Sequence, residues 1–135
     1  MTGIYYQNGK VVNKDLNTAI QYFTLAADNG DVISQNTLGY YYYYGDGVEK
    51  DLKKGIKYSK LAADQGSALG QVSMGNIYEN GIGLDKDLEK SFQFFSLAAA
   101  QGNISGQFNL GLAYQYGKGV GQDYKKAFKY FELSA

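Results

Sequence analysis

The stretch Leu38-Gly39-Tyr40-Tyr41-Tyr42-Tyr43-Tyr44-Gly45-Asp46-Gly47-Val48-Glu49-Lys50-Asp51 decides the fold, because its outline returns 36 residues later and again after a further 36. Gly75, Tyr78, Gly81 and Asp87 keep its positions, as do Gly111, Tyr114, Gly117 and Asp123. Upstream, Gly3, Tyr6, Gly9 and Asp15 fall in the same columns. A second set of columns closes each copy. Ala26-Ala27, Ala62-Ala63 and Ala98-Ala99 stand before Gly30, Gly66 and Gly102, and Ser134-Ala135 ends the last copy. A fixed period of this length is the mark of a repeat architecture, in which each copy is one supersecondary unit. The copies run over residues 1–30, 31–66, 67–102 and 103–135, the first and last being partial.

Each copy reads as two helices and two turns. Asp31, directly after Gly30, is a good N-cap behind a glycine suited to the left-handed end of the preceding helix. Ser67 after Gly66 and Asn103 after Gly102 repeat the device. The first helix of the second copy is expected over about 31–44, with Leu38 and Tyr42 one turn apart on its buried face. Gly45 and Gly47 then supply positive φ, and Val48 is an apolar plug in the loop. Asp51 caps a second helix over about 51–65 that turns Ile56, Leu61, Ala62 and Ala63 toward its neighbours. Capping Asp residues at the four equivalent positions are each worth roughly 0.5–2 kcal/mol over Ala. The column Gly39, Gly75 and Gly111 falls in mid-helix, where Gly costs about 0.5–1 kcal/mol relative to Ala. Close approach of a neighbouring helix is the compensation this predicts, and the fold class is an α-solenoid of helix-turn-helix units.

Composition excludes a good deal. Lys+Arg and Asp+Glu both number 13, for zero net charge, and every basic residue is Lys. His, Cys, Trp and Pro are absent, while Gly reaches 18 and Tyr 14. Without His or Cys there is no Ser-His-Asp triad, no thiolate nucleophile, no disulfide framework and no ordinary zinc or copper site. Neutral charge without Arg argues against nucleic acid. No run of about 18 apolar residues and no charged-then-apolar leader occurs, so membrane insertion is not expected and the compartment stays open. No Ser has a Lys three residues later, which removes the Ser-x-x-Lys arrangement of β-lactam chemistry. Asp85, Asp87 and Glu89 are explained by capping. The loop Gly45–Asp51 lacks both the calcium-loop spacing and the strand and third Gly of a phosphate cradle. No cofactor is implied, and an enzyme is not expected.

The columns resemble the Sel-1-like repeat, a relative of the tetratricopeptide repeat. That family's pattern has Leu-Gly, a Tyr three residues later, Gly-x-Gly-Val, Asp, Lys-Ala and a closing Ala-Ala-x-x-Gly. Leu110-Gly111, Tyr114, Gly117-x-Gly119-Val120, Asp123 and Lys126-Ala127 follow it, and the resemblance covers essentially the whole chain. Val11 replaces the second loop Gly of the first copy, and Gly55 and Ser91 replace the second-helix Ala. A bacterial branch with a disulfide in each repeat is not matched. The resemblance implies a right-handed α-solenoid, an α/α superhelix of antiparallel helix-turn-helix repeats, acting as a protein-interaction scaffold whose first helices line the concave surface. That stripe would comprise Thr37, Tyr40 and Tyr44, then Ser73, Asn76 and Asn80, then Asn109, Leu112 and Tyr116.

Five consecutive tyrosines sweep the whole circumference of a helix, so they cannot all be buried. Tyr42 belongs to the repeating core column and Tyr41 to a half-buried one. Tyr40, Tyr43 and Tyr44 have polar or mixed counterparts and read as surplus aromatics on a surface, where Tyr joins a large apolar face to a hydroxyl. Tyr and Asn along a groove suit an extended peptide or protein partner. A toxin-immunity or inhibitor role, or glycan and peptidoglycan binding in the periplasm, remains open beside it. Lys50, Lys53, Lys54, Lys57 and Lys60, with Lys125, Lys126 and Lys129, read as solvated convex faces. Neither end looks like a polar cap, so the chain is expected either to belong to a longer array or to self-associate end to end. The Arg-free, Lys- and Asn-rich composition points to a bacterium.

Overall fold

The computed structural model describes residues 4–7 and 10–135, with side chains from Asp15 onward. Among the described residues the elements are β1 (Ile4–Gln7), β2 (Lys10–Asn13), α1 (Lys14–Asp28), α2 (Val32–Tyr44), α3 (Leu52–Asp64), α4 (Ala68–Asn80), α5 (Leu88–Ala100), α6 (Ile104–Tyr116) and α7 (Tyr124–Ser134). They fall into two compact units, residues 1–62 and 63–135, with the division inside α3.

The helix ends follow from the sequence. Asp31, Ser67 and Asn103 cap α2, α4 and α6, each accepting from the amide three residues on. At Asp31 the Ser34 hydroxyl donates at 2.6 Å and its amide at 2.9 Å, which holds the carboxyl below its ordinary range. Gly45, Gly81 and Gly117 close the same helices in the left-handed region, with φ of 66–67°. Asp51, Asp87 and Asp123 accept from the amides of Lys54, Lys90 and Lys126 at 3.0–3.1 Å. Asp15, expected as the fourth such cap, instead lies inside the first turn of α1.

The start of the chain departs from the repeat register. The column alignment treats the residues after Gly3 as the end of a first helix. They form β1, paired antiparallel with β2 through Ile4 with Asn13 and Gln7 with Lys10. Local chemistry overrides the register here: Ile4-Tyr5-Tyr6 and Val11-Val12 are strand formers, and Asn8-Gly9 between them is a strong hairpin signal. Gly3 and Gly9 themselves lie outside the described residues.

The first unit centres on Ala27, Leu38 and Tyr58, flanked by Ile20, Phe23 and Tyr42. In the second, α4 packs on α5, α5 on α6 and α6 on α7, around Met74, Phe95, Ala98, Leu110 and Ala127. The mid-helix glycines mark the closest approaches. A Cβ on Gly75 would lie 2.6 Å from the Phe95 ring, and one on Gly111 would lie 2.5 Å from the Phe131 ring. Gly39 meets Ser59 in the same register, so helix contact is what offsets the weak helix propensity of this column. Leu61, expected to face a neighbour, is exposed, as are its counterparts Leu25, Leu97 and Leu133; Ala62 and Ala63 beside it are buried. The Leu column stands a residue ahead of the alanines, about 100° round the helix, and so turns outward.

A buried polar column also runs through the repeats. Gln35, Gln71 and Gln107 are nearly inaccessible. Gln35 Nε2 donates to the Ala27 carbonyl at 3.0 Å, satisfying the end of α1. Gln71 Oε1 accepts from Gln101 Nε2 at 2.9 Å, and the same Gln101 nitrogen donates to the Gly66 carbonyl at 2.8 Å. Among the described residues no buried side-chain nitrogen or oxygen lacks a partner.

Candidate partner-binding surface

On α2, Ile33, Thr37, Tyr40 and Tyr44 are spaced by four, three and four residues, which aligns them along one face. Tyr40 and Tyr44 are 54% and 59% exposed, and Ile33 is 70% exposed. The Tyr40 and Tyr44 rings lie 5.1 Å apart, with Tyr41 edge-on to Tyr40 at 6.0 Å. Thr37 between them is half-buried and turns its hydroxyl back to the Ile33 carbonyl at 2.8 Å. The result is an aromatic strip ending in an aliphatic residue. Ile33 and its counterpart Leu69 were not among the expected surface residues, although their helical spacing from Thr37 and Ser73 carried the signal.

Tyr43 corrects the sequence reading. Expected as a surface aromatic, it is only 9% exposed. Its backbone sits against α3 at Gly55, where a Cβ would come within 2.6 Å of the Tyr43 nitrogen. The missing side chain on Gly55 thus admits the tyrosine, and burial, reinforced by neighbouring Tyr44, raises its phenol pKa. The equivalent positions Ser91 and Ala127 carry side chains, and Ser91 uses its hydroxyl to donate to the Gly75 carbonyl at 2.8 Å.

In the second unit the same positions give a more polar stripe. On α4, Leu69 is exposed, Ser73 and Asn76 are half-buried and Asn80 is exposed. On α6, Asn109 and Leu112 are half-buried and Tyr116 is 63% exposed. Asn109 donates to the Ser105 carbonyl one turn back at 2.8 Å. Lys118 joins the ends of the two stripes: its Nζ lies 3.4 Å from Glu79 Oε2 and 5.8 Å from the centre of the Tyr116 ring.

The opposite side of these helices carries a repeated stack. Tyr42 lies on Tyr58 at 6.4 Å, Tyr78 on Phe94 at 5.9 Å and Tyr114 on Tyr130 at 5.8 Å, all near parallel. Lys54, Lys90 and Lys126 sit over the tyrosine of each pair at 5.1–5.4 Å. Tyr42 is therefore half-buried under a lysine and not enclosed in the core. The lysines of α3 and α7 stay exposed, but several of their stems cover aromatic surface, a packing role that charge patterning alone does not reveal. Tyr58 is buried and donates to Asp28 Oδ1 at 3.0 Å; its burial, then that bond and the adjacent charge, push its phenol up to about 12. Among the described residues no three acidic side chains gather as a metal site, and no helix is long and apolar enough to cross a membrane.

The profile of the Sel1 repeat matches residues 1–31, 32–67, 68–103 and 104–135. The chain belongs to the Sel1 repeat family. Three of those copies begin at the first residues of α2, α4 and α6. Solved structures of other members are similar to it. The protective antigen c5321 of uropathogenic Escherichia coli, with an SLR fold, is 36% identical with a TM-score of 0.86 over 93% of this chain. This chain spans only 27% of that protein's length. A Sel1 repeat protein from Oxalobacter formigenes is 33% identical with a TM-score of 0.77, over 86% of this chain and 87% of its own. Helicobacter pylori cysteine rich protein B is 31% identical with a TM-score of 0.70, over 90% and 86% respectively. No curated protein sequence matches significantly. Sel1 repeat proteins are α-solenoids that generally act as protein-interaction scaffolds, and the fold is typically non-catalytic. These relatives come from bacteria.

Proposed function

We propose that this Sel1 repeat chain is a non-catalytic adaptor that binds an extended peptide or protein segment through the outward faces of its first helices, α2 in the first unit and α4 and α6 in the second. The observation that supports this reading best is the alignment of Ile33, Tyr40 and Tyr44 on one exposed face of α2. Exposed tyrosines of this kind combine large contact area with a hydrogen-bonding tip at low entropic cost. Thr37, Ser73, Asn76, Asn80, Asn109, Leu112 and Tyr116 extend the same helical positions through the next repeats, while Tyr43 belongs to the packing between α2 and α3. Each repeat adds a few contacts, and affinity grows along the array less the cost of ordering the ligand.

The test replaces Tyr40 and Tyr44 together with Ser and compares the proteins captured by both forms of the chain by quantitative mass spectrometry. Helical circular dichroism stays unchanged and specific capture falls at least fivefold, a size set by losing about 1 kcal/mol at a buried aromatic contact. Equal capture by a folded variant overturns the proposal. A second copy of the chain is a further partner on this reading: Tyr124 and Phe128 lie 68% and 65% exposed on α7, a face apt for self-association. Light scattering that reads a clean monomer at high concentration rules that out.

A further inference from the structure

In the second unit Tyr114 has three ring neighbours or charges. Tyr130 stacks beneath it, Lys126 covers it, and Phe92 of α5 meets it edge-on at 5.5 Å and 87°. The same register in the first unit supplies only two of the three. Tyr42 has Tyr58 and Lys54, but the residue matching Phe92 is Ile20 of α1. At that place a cleft of about 480 Å³ opens, lined by Ile20, Tyr42 and Val48 together with the polar Asn17, Glu49, Lys50, Asp51 and Lys54. Its size falls within the range of about 300–1,000 Å³ typical of small-ligand sites. The lining thus joins one aromatic and two aliphatic side chains to an amide, two carboxylates and two ammonium groups.

We propose that this cleft is a binding site for the aromatic side chain of a partner, a Phe or Tyr ring presented by a peptide and seated edge-on to Tyr42. The chain itself provides the template for that geometry in Phe92 and Tyr114. The ring replaces the one Ile20 omits, and the amide of Asn17 with the charged groups of Glu49, Lys50 and Asp51 offers hydrogen-bond partners to the main chain that carries it. The site is independent of the outward stripe, since Tyr42 stands two residues from both Tyr40 and Tyr44, about 200° round the helix.

The probe is N-acetyl-Gly-Phe-Gly amide, titrated into the full chain and followed through amide shifts at Ile20, Tyr42, Val48 and Lys54. The Ala analogue serves as control. Shifts confined to these residues are expected, with the Phe peptide binding about fivefold more tightly than the Ala peptide, the value of one aromatic pair. Ile20→Phe fills the cleft from within: it raises the melting temperature and removes the response, whereas Ile20→Leu keeps it. Tyr40→Ser/Tyr44→Ser responds like the wild type, so a failure of the stripe and a failure of the cleft read differently. Equal binding of the two peptides, no shift at these residues, or an undiminished response in folded Ile20→Phe overturns the proposal. The peptide comparison on the wild-type chain decides the matter even where a variant fails to fold.

Discussion

Replacing Gly75 with Ala tests whether the mid-helix glycines are there for helix contact. In an isolated helix the change would help by about 0.5–1 kcal/mol, because Gly is the weaker helix former. Here the added methyl would sit 2.6 Å from Phe95 Cε1, 2.7 Å from Cδ1 and 2.9 Å from Cζ. Phe95 is 1% exposed and has nowhere to turn, so α4 and α5 must separate. Overpacking of that kind costs roughly 1–3 kcal/mol. The net expectation is a loss of about 1–2 kcal/mol. Gly111 supplies the internal comparison. Its added methyl meets the Phe131 ring as closely, but Phe131 is only half-buried and can swing toward solvent. Gly111→Ala should therefore be close to neutral. Urea melts followed by circular dichroism measure both, with the slope inspected for loss of cooperativity, since repeat arrays need not unfold in one step. Adding Phe95→Leu to Gly75→Ala should recover about 1 kcal/mol of coupling in a double-mutant cycle. The reasoning fails if Gly75→Ala raises the midpoint or if Gly111→Ala is the more damaging of the two.

Gln35→Leu removes one of the two donors to the Ala27 carbonyl, the Gly30 amide at 3.0 Å remaining, and chemical denaturation should register a loss of about 0.5–1.5 kcal/mol, the net worth of one hydrogen bond. Tyr58 gives a pH signature in the alkaline range. Its phenol has a higher pKa folded than unfolded, so its contribution is complete below about pH 10 and is lost as pH rises toward 12. Unfolding titrations across that window should fall less steeply for Tyr58→Phe than for the wild type, and parallel curves would contradict the assignment.

The periodic part of the fold was legible because identical residues recur where backbone geometry leaves little choice: left-handed glycines, capping oxygens and the small column facing Ser59, Phe95 and Phe131. What misled was the use of a column as a proxy for exposure. Glu79 and Gln115 occupy the position of Tyr43 and suggested a surface, yet the compensating change stood in another column, Gly55, whose missing side chain makes room. The buried Gln35, Gln71 and Gln107 show the opposite fault: a polar residue at helical spacing was passed over although its amide ties adjacent elements together. At the N-terminus, strand-forming residues around Asn8-Gly9 outweighed a register inferred from copies further along. The candidate surface was partly readable. Tyr40, Tyr44 and Tyr116 lie exposed on their helices, while Ile33 and Leu69 needed the observed face to be noticed.

The joints between repeats have a consequence for how such a chain can change. Gly30, Gly66 and Gly102 end one helix, and the very next residue, Asp31, Ser67 or Asn103, caps the following one. No residue is spare at these joints, so a single insertion there would separate the left-handed turn from its cap and rotate every later helix out of phase. The loop of residues 45–51 is longer but also fixed in length, because the Asp51 amide donates back to the Tyr42 carbonyl at 2.8 Å, as Asp87 does to Tyr78 and Asp123 to Tyr114 at 2.9 Å. The array can thus lengthen in register only by whole repeats, which makes 36 residues its natural unit of growth.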